Sequence, residues 1–323
     1  MIQNKKSILI KDESNLLFFG WELLQKLNKS DYVIYLEKKN NYGTFLSFFS
    51  NFLQFQKGQH FDLVINFQRE AAKQNTGELD YLFTIAENGD ISPKENVGDF
   101  LDLIKAHFSA KDFRNRKILI SAGPTNEDID PVRFLSNRST GKMGIALARA
   151  AYIRGADVKL IIGPGSARKP AYLNILKVRG AEEMNQIVQK HFAWCDFFIS
   201  SAAVADYTPL TTLKNKMKKG SGNLLLEMKR TADILQNIQT LKRADQKVIG
   251  FSVETKDLIE NSRKKLIRKN LDLIIANNPN LKGAGFAGDT NQVEIISKSN
   301  NVSLPLMTKN DVADKILDNM LEI

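Results

Sequence analysis

Apolar runs and helical patterns alternate along the chain from about residue 117 to the C-terminus. Short runs rich in Ile, Leu, Val and Phe predict strands at residues 117–121, 157–163, 173–178, 196–201, 247–252 and 273–276. Amphipathic stretches between them predict helices at residues 141–154, 182–192, 233–241 and 258–270. Such alternation predicts an α/β fold, with a mostly parallel, Rossmann-like, doubly wound sheet and helices on both faces. Residues 293–297 and the segment before Leu304 predict a C-terminal hairpin, followed by a helix from Lys309.

The first 110 residues follow a less regular pattern. They contain strand-like runs at 7–10, 32–36 and 62–66, helical stretches at 16–27 and 98–108, and a dense aromatic run at 45–55. A length of 323 residues accommodates two domains. We therefore predict a smaller α/β domain over residues 1–110, a basic, polar linker at 111–116 and a second domain over 117–323.

The longest predicted connection, residues 121–144, follows the first strand of the second domain. It reads SAGPTNEDIDPVRFLSNRSTGKMG and is far longer than an ordinary strand-to-helix connection, which favours a functional segment. Ligand sites of open α/β sheets lie in this kind of loop, where small residues, a helix N-terminus, Arg133 and Lys142 suit an anionic ligand.

Two common nucleotide motifs do not match this connection. Gly123 and Gly141 lie 18 residues apart, which is too far for a dinucleotide fingerprint, and Met143 stands where a P-loop has Ser or Thr. The polar residues that remain are close together in sequence: Asp130, Arg133, Asn137 and Arg138. They either bind a ligand or only satisfy the backbone groups of the loop.

Four later segments have both a functional and a plain interpretation. Residues 200–207 are small enough for backbone N–H groups to approach a ligand, with Asp206 as an acceptor, or they form a tight turn. Residues 214–222 hold four lysines and two glycines, which suits either a mobile flap over a phosphate or a solvated charge run. Lys265 and Lys269 lie four residues apart and therefore share one helix face, which either binds a triphosphate or is exposed to solvent. The glycine-rich residues 283–291 predict a loop of undecided role.

Composition and charge narrow the functional classes. The formal net charge of +10 and the pI near 9.4 indicate either an acidic partner, nucleic acid or phosphorylated small molecules, or scattered surface lysines alone. Cys195, the single cysteine, lies in an apolar run and is interpreted as a buried structural thiol. The three histidines lack metal-ligand spacing. Without a membrane-length apolar run or a signal-peptide pattern, we expect a cytoplasmic protein.

Seven segments between about residue 116 and the C-terminus resemble the phosphopantothenoylcysteine synthetase family in the same order. They are ISAGPTNEDIDPVRFLSNRSTGKMG, AAVADY, NKMKKG, VIGFSVET, RKKLIRKNLDLIIANN, GAGFAGDTNQV and LPLMTKNDVA. The resemblance implies a homodimeric ligase of coenzyme A biosynthesis that joins 4′-phosphopantothenate to cysteine through an acyl-cytidylate. Bacterial members use CTP and eukaryotic members generally ATP. Mg²⁺ is then expected to arrive with the triphosphate rather than in a protein cage.

The same resemblance assigns residue roles. Asn137 is similar to the residue that holds the acyl-cytidylate carbonyl, Arg133 to its neighbour in phosphopantothenate recognition, and Lys216 to the flap lysine on the reacting phosphate. Ala203 joins Arg133 and Asn137 as substrate-binding. Expected nucleotide contacts, besides Lys216, are Gly123, Ser200, Ser201, Ala202, Asp206, Ala232, Asp233, Ile234, Leu235, Phe251, Lys265 and Lys269. The family often has Asn-Pro-Asp-Ile where this chain has Thr-Ala-Asp-Ile at 231–234, so Ala232 lacks the proline that fixes that turn.

In many bacteria this ligase follows a flavin-dependent decarboxylase, whose end resembles residues 86–93, AENGDISP. The first domain is interpreted as a degenerate, flavodoxin-like remnant of that partner. Its active-site motif and cysteine lid are missing, so we expect no decarboxylase activity and no FMN. A bifunctional decarboxylase–ligase and a non-catalytic nucleotide- or nucleic-acid-binding module are the alternatives. Against the module, the chain lacks an aromatic and basic stacking platform and a helix-turn-helix signature, so no nucleic acid and no membrane partner is expected.

Overall fold

The computed structural model describes five strands before residue 85, and then residues 97–219, 222–281 and 283–323. The chain forms two compact units, Met1–Ile104 and Lys105–Ile323. In the described part of the chain, no helix combines the length and the apolar character that crossing a bilayer requires.

The first unit contains a five-stranded sheet in the order β3-β2-β1-β4-β5, with all neighbouring strands parallel. Its strands are β1 (Lys6–Asp12), β2 (Tyr32–Glu37), β3 (Phe52–Gln54), β4 (Leu63–Gln68) and β5 (Tyr81–Thr84). The three predicted strands are confirmed as β1, β2 and β4, whereas β3 and β5 were missed. The predicted helix at 16–27 and the segment 86–93 lie outside the described residues.

The second unit is built on an eight-stranded sheet in the order β10-β9-β6-β11-β14-β15-β17-β18. The first six strands in this order, from β10 at the edge to β15, are parallel to their neighbours. β17 and β18 add an antiparallel hairpin at the other edge. The predicted fold class and C-terminal hairpin are therefore confirmed. The sheet strands are β6 (Lys117–Ala122), β9 (Asp157–Ile162), β10 (Asn174–Lys177), β11 (Phe197–Ser200), β14 (Lys247–Val253), β15 (Leu273–Asn277), β17 (Val293–Ser297) and β18 (Asn301–Ser303).

Three two-stranded ribbons lie outside this sheet, and the sequence pattern predicted none of them. They pair β7 (Asn126–Asp128) with β8 (Phe134–Ser136), β12 (Tyr207–Pro209) with β13 (Met228–Arg230), and β16 (Thr290–Asn291) with β19 (Met307–Thr308). The first ribbon lies inside the connection 121–144. The segment predicted as one long loop is therefore partly a β-hairpin.

Helices that follow α1 (Val97–Phe108) in the chain cover both faces of the sheet of the second unit. They are α2 (Lys142–Ile153), α3 (Ala181–Phe192), α4 (Ile234–Asn237), α5 (Leu258–Arg268) and α6 (Lys309–Met320), and a 3-10 turn covers Gln239–Leu241. The single helix predicted at 233–241 is thus corrected to α4 plus this turn. Asp233 caps α4 by accepting a hydrogen bond from the Gln236 N–H at 3.1 Å.

The central strands of the sheet are buried on both faces, which explains why β6, β11 and β15 contain continuous apolar runs. On β6, Ile118 and Ile120 pack in the core that includes α2 and α6, while Leu119 packs in the core that includes α3. Residues 111–116, the predicted linker, pack on this unit. Phe113 is fully buried and its N–H donates to the Arg154 carbonyl at 3.0 Å.

Cys195 lies in the core beside α3, which confirms the predicted buried thiol. Its thiol donates to the Phe192 carbonyl, with a sulfur–oxygen distance of 3.2 Å. Burial raises the pKa of the Cys195 thiol to about 12. The thiolate is therefore scarce at neutral pH, so Cys195 is a structural residue and not a nucleophile.

Candidate functional site

The order of the strands defines where a ligand site is expected. From β6 the chain proceeds to β9 and β10 on one side, and then returns to β11, β14 and β15 on the other. The direction therefore reverses between β6 and β11, and in open α/β sheets ligands bind at the carboxyl ends of the strands at such a switch point. The residues that follow β6 and β11 are the two small-residue segments singled out in the sequence.

Backbone hydrogen bonds bring these two segments side by side. The Ser201 N–H donates to the Ser121 carbonyl at 3.0 Å, and the Ala203 N–H donates to the Gly123 carbonyl at 2.9 Å. Pro124 and Ala203 then form an isolated parallel bridge. The pairing of β6 with β11 is thus continued beyond the strands, so Gly123 and the predicted contacts at residues 200–203 share one edge of the sheet.

Gly123 occupies a conformation that favours glycine. Its φ is +74°, and a Cβ atom added here would lie 3.1 Å from the Gly163 carbonyl oxygen. A larger residue would therefore be strained and would also crowd the end of β9. This requirement fixes the path by which the chain leaves β6 toward the β7–β8 hairpin.

The hairpin returns Asn137 to the end of β11. The Asn137 side-chain Nδ2 donates to the Ala203 carbonyl at 3.0 Å and to the Val204 carbonyl at 3.2 Å. Two carbonyl acceptors on one side orient the amide, so its nitrogen points to the β11 loop. Asn137 therefore connects the hairpin to the small-residue segment, although it is 66 residues away from Ala203.

Arg133 lies at the turn of the hairpin and contacts the lysine-rich segment 214–219. Its Nη2 donates to the Met217 carbonyl at 3.3 Å. The neighbouring Lys216 is exposed, and its side chain has no hydrogen bond or ion pair with the described residues. The structure thus joins Arg133 to the backbone of this lysine-rich segment, while the Lys216 ammonium stays in solvent.

Asp206 connects the β11 loop to the segment before α4. The Asp206 carbonyl accepts from the Thr231 N–H at 3.0 Å, and the Thr231 hydroxyl donates to the Ala205 carbonyl at 2.5 Å. Ala232 and Asp233 follow directly, so the predicted nucleotide contacts at 232–235 begin beside the β11 loop. The Asp206 side chain itself is exposed.

Lys265 in α5 and Lys269 at its C-terminal cap make specific contacts beside β14, the strand that follows β11 in the sheet. Lys265 Nζ donates to the Phe251 carbonyl at 2.8 Å, and burial lowers the pKa of its ammonium. Lys269 forms an ion pair with Asp233. Burial raises the pKa of Asp233, but the hydrogen bond from Lys269 and the cap of α4 outweigh it, so this pKa is lowered overall. Neither lysine is a freely solvated charge.

The predicted residues therefore form two neighbouring groups. The first, at the ends of β6 and β11, holds Gly123, Asn137 and residues 200–203. The second, at the end of β14, holds Phe251, Lys265 and Lys269 with Asp233. β14 pairs directly with β11, with Ser200 opposite Gly250, so both groups lie along the same carboxyl edge of the sheet. Among the described side chains, no hydrogen bond links Lys216 to either group.

The glycine-rich residues 283–291, whose role was undecided from the sequence, contact the start of α2 and the residue before it. Lys142 Nζ donates to the Ala287 carbonyl at 2.8 Å and pairs with Asp289 at 2.7 Å. The Thr140 hydroxyl donates to the Phe286 carbonyl at 3.1 Å. Lys142, expected to face an anion, is therefore engaged with this loop. No local sequence pattern predicts these contacts, because their partners lie about 145 residues apart in the chain.

The described residues include no group of three or more His, Cys, Asp or Glu side chains that could hold a metal ion. Asp233, one of the predicted nucleotide contacts, is paired with Lys269.

The fold and the positions of these residues define the class of the second unit. It is a Rossmann-like α/β domain with polar and small residues gathered at its switch point. The profile of the DNA/pantothenate metabolism flavoprotein C-terminal domain matches residues 113–323, and the chain belongs to this family.

Two curated relatives and one solved structure give the range of similarity. The chain is 44% identical over 231 residues to the "Coenzyme A biosynthesis bifunctional protein CoaBC" of Bacillus subtilis (strain 168), covering 71% of this chain and 57% of that protein. It is also 44% identical over 234 residues to a "Cysteine/Cysteine sulfinic acid decarboxylase" of an unknown prokaryotic organism, covering 72% and 65%. The chain thus spans less than two thirds of the length of these relatives.

The solved structure is a crystal structure of the C-terminal domain of a coenzyme A biosynthesis bifunctional protein CoaBC. It superposes with a TM-score of 0.56 at 37% sequence identity, covering 66% of this chain and 99% of that domain. The similarity concerns the second unit and supports its fold class.

Proposed function

We propose that the second unit joins 4′-phosphopantothenate to L-cysteine through an acyl-cytidylate, as a phosphopantothenate–cysteine ligase. The observation that carries the proposal is the amide of Asn137, bound to the Ala203 and Val204 carbonyls at the end of β11. This contact brings the residue proposed to hold the acyl carbonyl next to the segment proposed to bind the nucleotide. Membership of the family, in which relatives are named as coenzyme A biosynthesis proteins, supports the same assignment.

The reaction requires positioning and charge neutralisation more than a strong acid or base. A carboxylate oxygen of phosphopantothenate attacks the α-phosphorus of CTP, the bond to the β-phosphate oxygen breaks, and pyrophosphate leaves. The cysteine amine then attacks the acyl carbonyl, CMP leaves and the amine loses a proton to solvent. Arg133 and Asn137 bind the acyl substrate with Ala203, and Lys216 neutralises the reacting phosphate.

CTP is proposed to bind along the carboxyl edge of β6, β11 and β14. The contacts are Gly123, Ser200, Ser201, Ala202, Asp206, Lys216, Ala232, Asp233, Ile234, Leu235, Phe251, Lys265 and Lys269. The support is the edge shared by Gly123, residues 200–203 and Phe251, and the position of Lys265 and Lys269 beside the segment 232–235. Mg²⁺ enters as the complex with CTP and adds charge neutralisation at the triphosphate.

The test of this function is release of pyrophosphate by the purified full chain. We expect release that requires both phosphopantothenate and CTP, amide product only after cysteine is added, and loss of turnover when Mg²⁺ is chelated. Substituting ATP for CTP in the same assay decides the nucleotide. Absence of pyrophosphate with either nucleotide, under conditions where a known ligase of this type is active, would contradict the proposal.

We propose that the first unit adds no decarboxylase and holds no FMN. The support is the missing active-site motif and cysteine lid in residues 1–110. The purified protein is expected to lack flavin absorbance near the visible bands of FMN. Flavin that co-purifies, or carbon dioxide released from phosphopantothenoylcysteine, would favour the bifunctional alternative.

A homodimer is proposed for the ligase unit. The β7–β8 hairpin exposes three large apolar side chains, Val132, Phe134 and Leu135, and Leu210 after β12 is exposed as well. Apolar side chains gathered on a projecting hairpin commonly mark a protein interface. Light scattering during size-exclusion chromatography is expected to give twice the mass of 36.4 kDa. A monomer at micromolar concentration would contradict this proposal.

A further inference from the structure

Asp130 is a buried carboxylate at the turn of an otherwise exposed hairpin. Asp130 is only 1% exposed, whereas every residue from Pro131 to Arg138 is exposed. Its Oδ1 accepts from the N–H groups of Val132 at 2.7 Å and Arg133 at 2.8 Å, which closes the turn. The Arg133 Nη1 lies 3.6 Å from its Oδ2.

The second carboxylate oxygen reaches the flap. Asp130 Oδ2 accepts from the Met217 N–H at 3.1 Å, while Arg133 Nη2 donates to the Met217 carbonyl at 3.3 Å. Both backbone groups of Met217 are therefore held from the hairpin. Burial opposes ionisation of Asp130, but the Met217, Val132 and Arg133 N–H groups outweigh it and lower the pKa of this carboxyl.

Two earlier contacts bring the chain to this point along the hairpin. The Thr212 hydroxyl donates to the Asp128 carbonyl at 3.1 Å, and the Leu213 N–H donates to the Ile129 carbonyl at 2.9 Å. Residues 212–217 thus run beside residues 128–130, and Met217 is bound one residue after Lys216. Because the Lys216 side chain is exposed, the backbone contacts of its neighbour are what fix its position.

We propose that Asp130 is a positioning residue for the ligase reaction, holding the lysine flap through the Met217 backbone in register with the hairpin that carries Arg133 and Asn137. This inference rests on the proposed function for its catalytic consequence, but not for the contact itself. Asp130 touches no reacting atom and acts through Lys216. A carboxylate that served only to close the turn would need only its Oδ1.

The variant Asp130→Asn separates these two tasks. Its single amide oxygen can still accept from the Val132 and Arg133 N–H groups, so the turn remains closed. The NH₂ group that replaces Oδ2 cannot accept from the Met217 N–H and loses the charge that attracts Arg133. The substitution therefore releases the flap while it preserves the hairpin.

Two readouts on the full chain test the proposal. Hydrogen exchange of peptides covering residues 214–219 is expected to speed up at least about tenfold in Asp130→Asn, because a hydrogen bond to a charged acceptor has been lost. The kcat for pyrophosphate release is expected to fall about tenfold or more, with the KM for cysteine unchanged. Asp128→Asn is the matched control. Asp128 lies on the same hairpin as Asp130, but its carboxylate pairs with Arg179 and does not contact residues 214–219.

Unchanged flap exchange in a folded Asp130→Asn protein would overturn the proposal, as would an equal loss of kcat in Asp128→Asn. If Asp130→Asn does not fold, Met217→Pro removes the same hydrogen bond from the exposed flap side and is expected to accelerate exchange at residues 218–219. Hydrogen exchange needs no substrate. A wild-type chain without ligase activity would thus contradict the proposed function and leave the test of the contact intact.

Discussion

Replacing Asn137 with alanine is expected to lower kcat/KM for pyrophosphate release by about 10²–10³-fold, the usual cost of removing one positioned donor to a reacting oxygen. In the proposed role, one N–H of Asn137 exchanges a loop carbonyl for the acyl carbonyl when the substrate binds. The substitution also removes the two hydrogen bonds from Nδ2 to the Ala203 and Val204 carbonyls. The hairpin and the β11 loop then lose their direct side-chain connection. Steady-state kinetics with phosphopantothenate and CTP measure the effect.

Asn137→Asp is expected to be at least as damaging as the alanine variant, although it keeps the size of the side chain. Its carboxylate cannot donate to the Ala203 and Val204 carbonyls and would face two acceptors with a negative charge. Asn319→Ala is a suitable control, since this asparagine makes one hydrogen bond within α6, to the Lys315 carbonyl at 2.9 Å. Near wild-type turnover in either Asn137 variant would remove this residue from the proposed mechanism.

The architecture of the second unit could be predicted from sequence for a physical reason. Strands of a parallel sheet are buried on both faces, so β6, β11 and β15 each contain an unbroken apolar run. The intervening helices bury one face and therefore show the helical period. Both signals are local, and they also indicate which loops follow the carboxyl ends of the strands. The edge of the sheet that carries the candidate site was consequently predictable.

The β7–β8 hairpin could not be predicted in the same way. All three residues of β8, Phe134–Ser136, are exposed, so no alternation between buried and exposed positions marks the strand. Its stability depends on contacts made outside the strand, including the Asp130 turn and the anchoring of Glu127 at the start of α3. There the Glu127 carboxylate accepts from the Ala181 N–H at 2.9 Å. These contacts link residues far apart in sequence.

The partners of the charged residues could not be predicted from the sequence either, because these partners lie far away in the chain. Lys269 was placed on a helix face with Lys265, but nothing in the local sequence indicated that Asp233 would pair with it. Similarly, Lys142 was expected to face an anion and instead binds Asp289 and the Ala287 carbonyl. The identity of a candidate site residue was accessible from motifs, whereas its partner required the folded chain.

Gly163→Ala is expected to lower the stability of the second unit more than any other glycine-to-alanine substitution among its described residues. An added Cβ would lie 1.7 Å from the Pro124 carbonyl oxygen and 2.9 Å from its carbon, both of which are backbone atoms. Because the Gly163 N–H donates to the Ala122 carbonyl at 3.0 Å, the end of β9 cannot retreat without losing a ladder bond. The chain at Pro124 must therefore move, and with it the bridge from Pro124 to Ala203.

Overpacking of this kind costs about 1–3 kcal/mol of folding free energy, and here the obstacle is backbone, which yields least. For a unit of this size, the corresponding fall in Tm is about 2–12 °C, measurable by circular dichroism or calorimetry. Ligase activity is expected to fall with it at temperatures below the transition, because Asn137 and the β11 loop meet beside the displaced segment. Gly285→Ala is the matched control, since its Cβ would meet no heavy atom within 4 Å. Equal Tm values for the two variants would contradict the close packing of Gly163 against the Pro124 carbonyl.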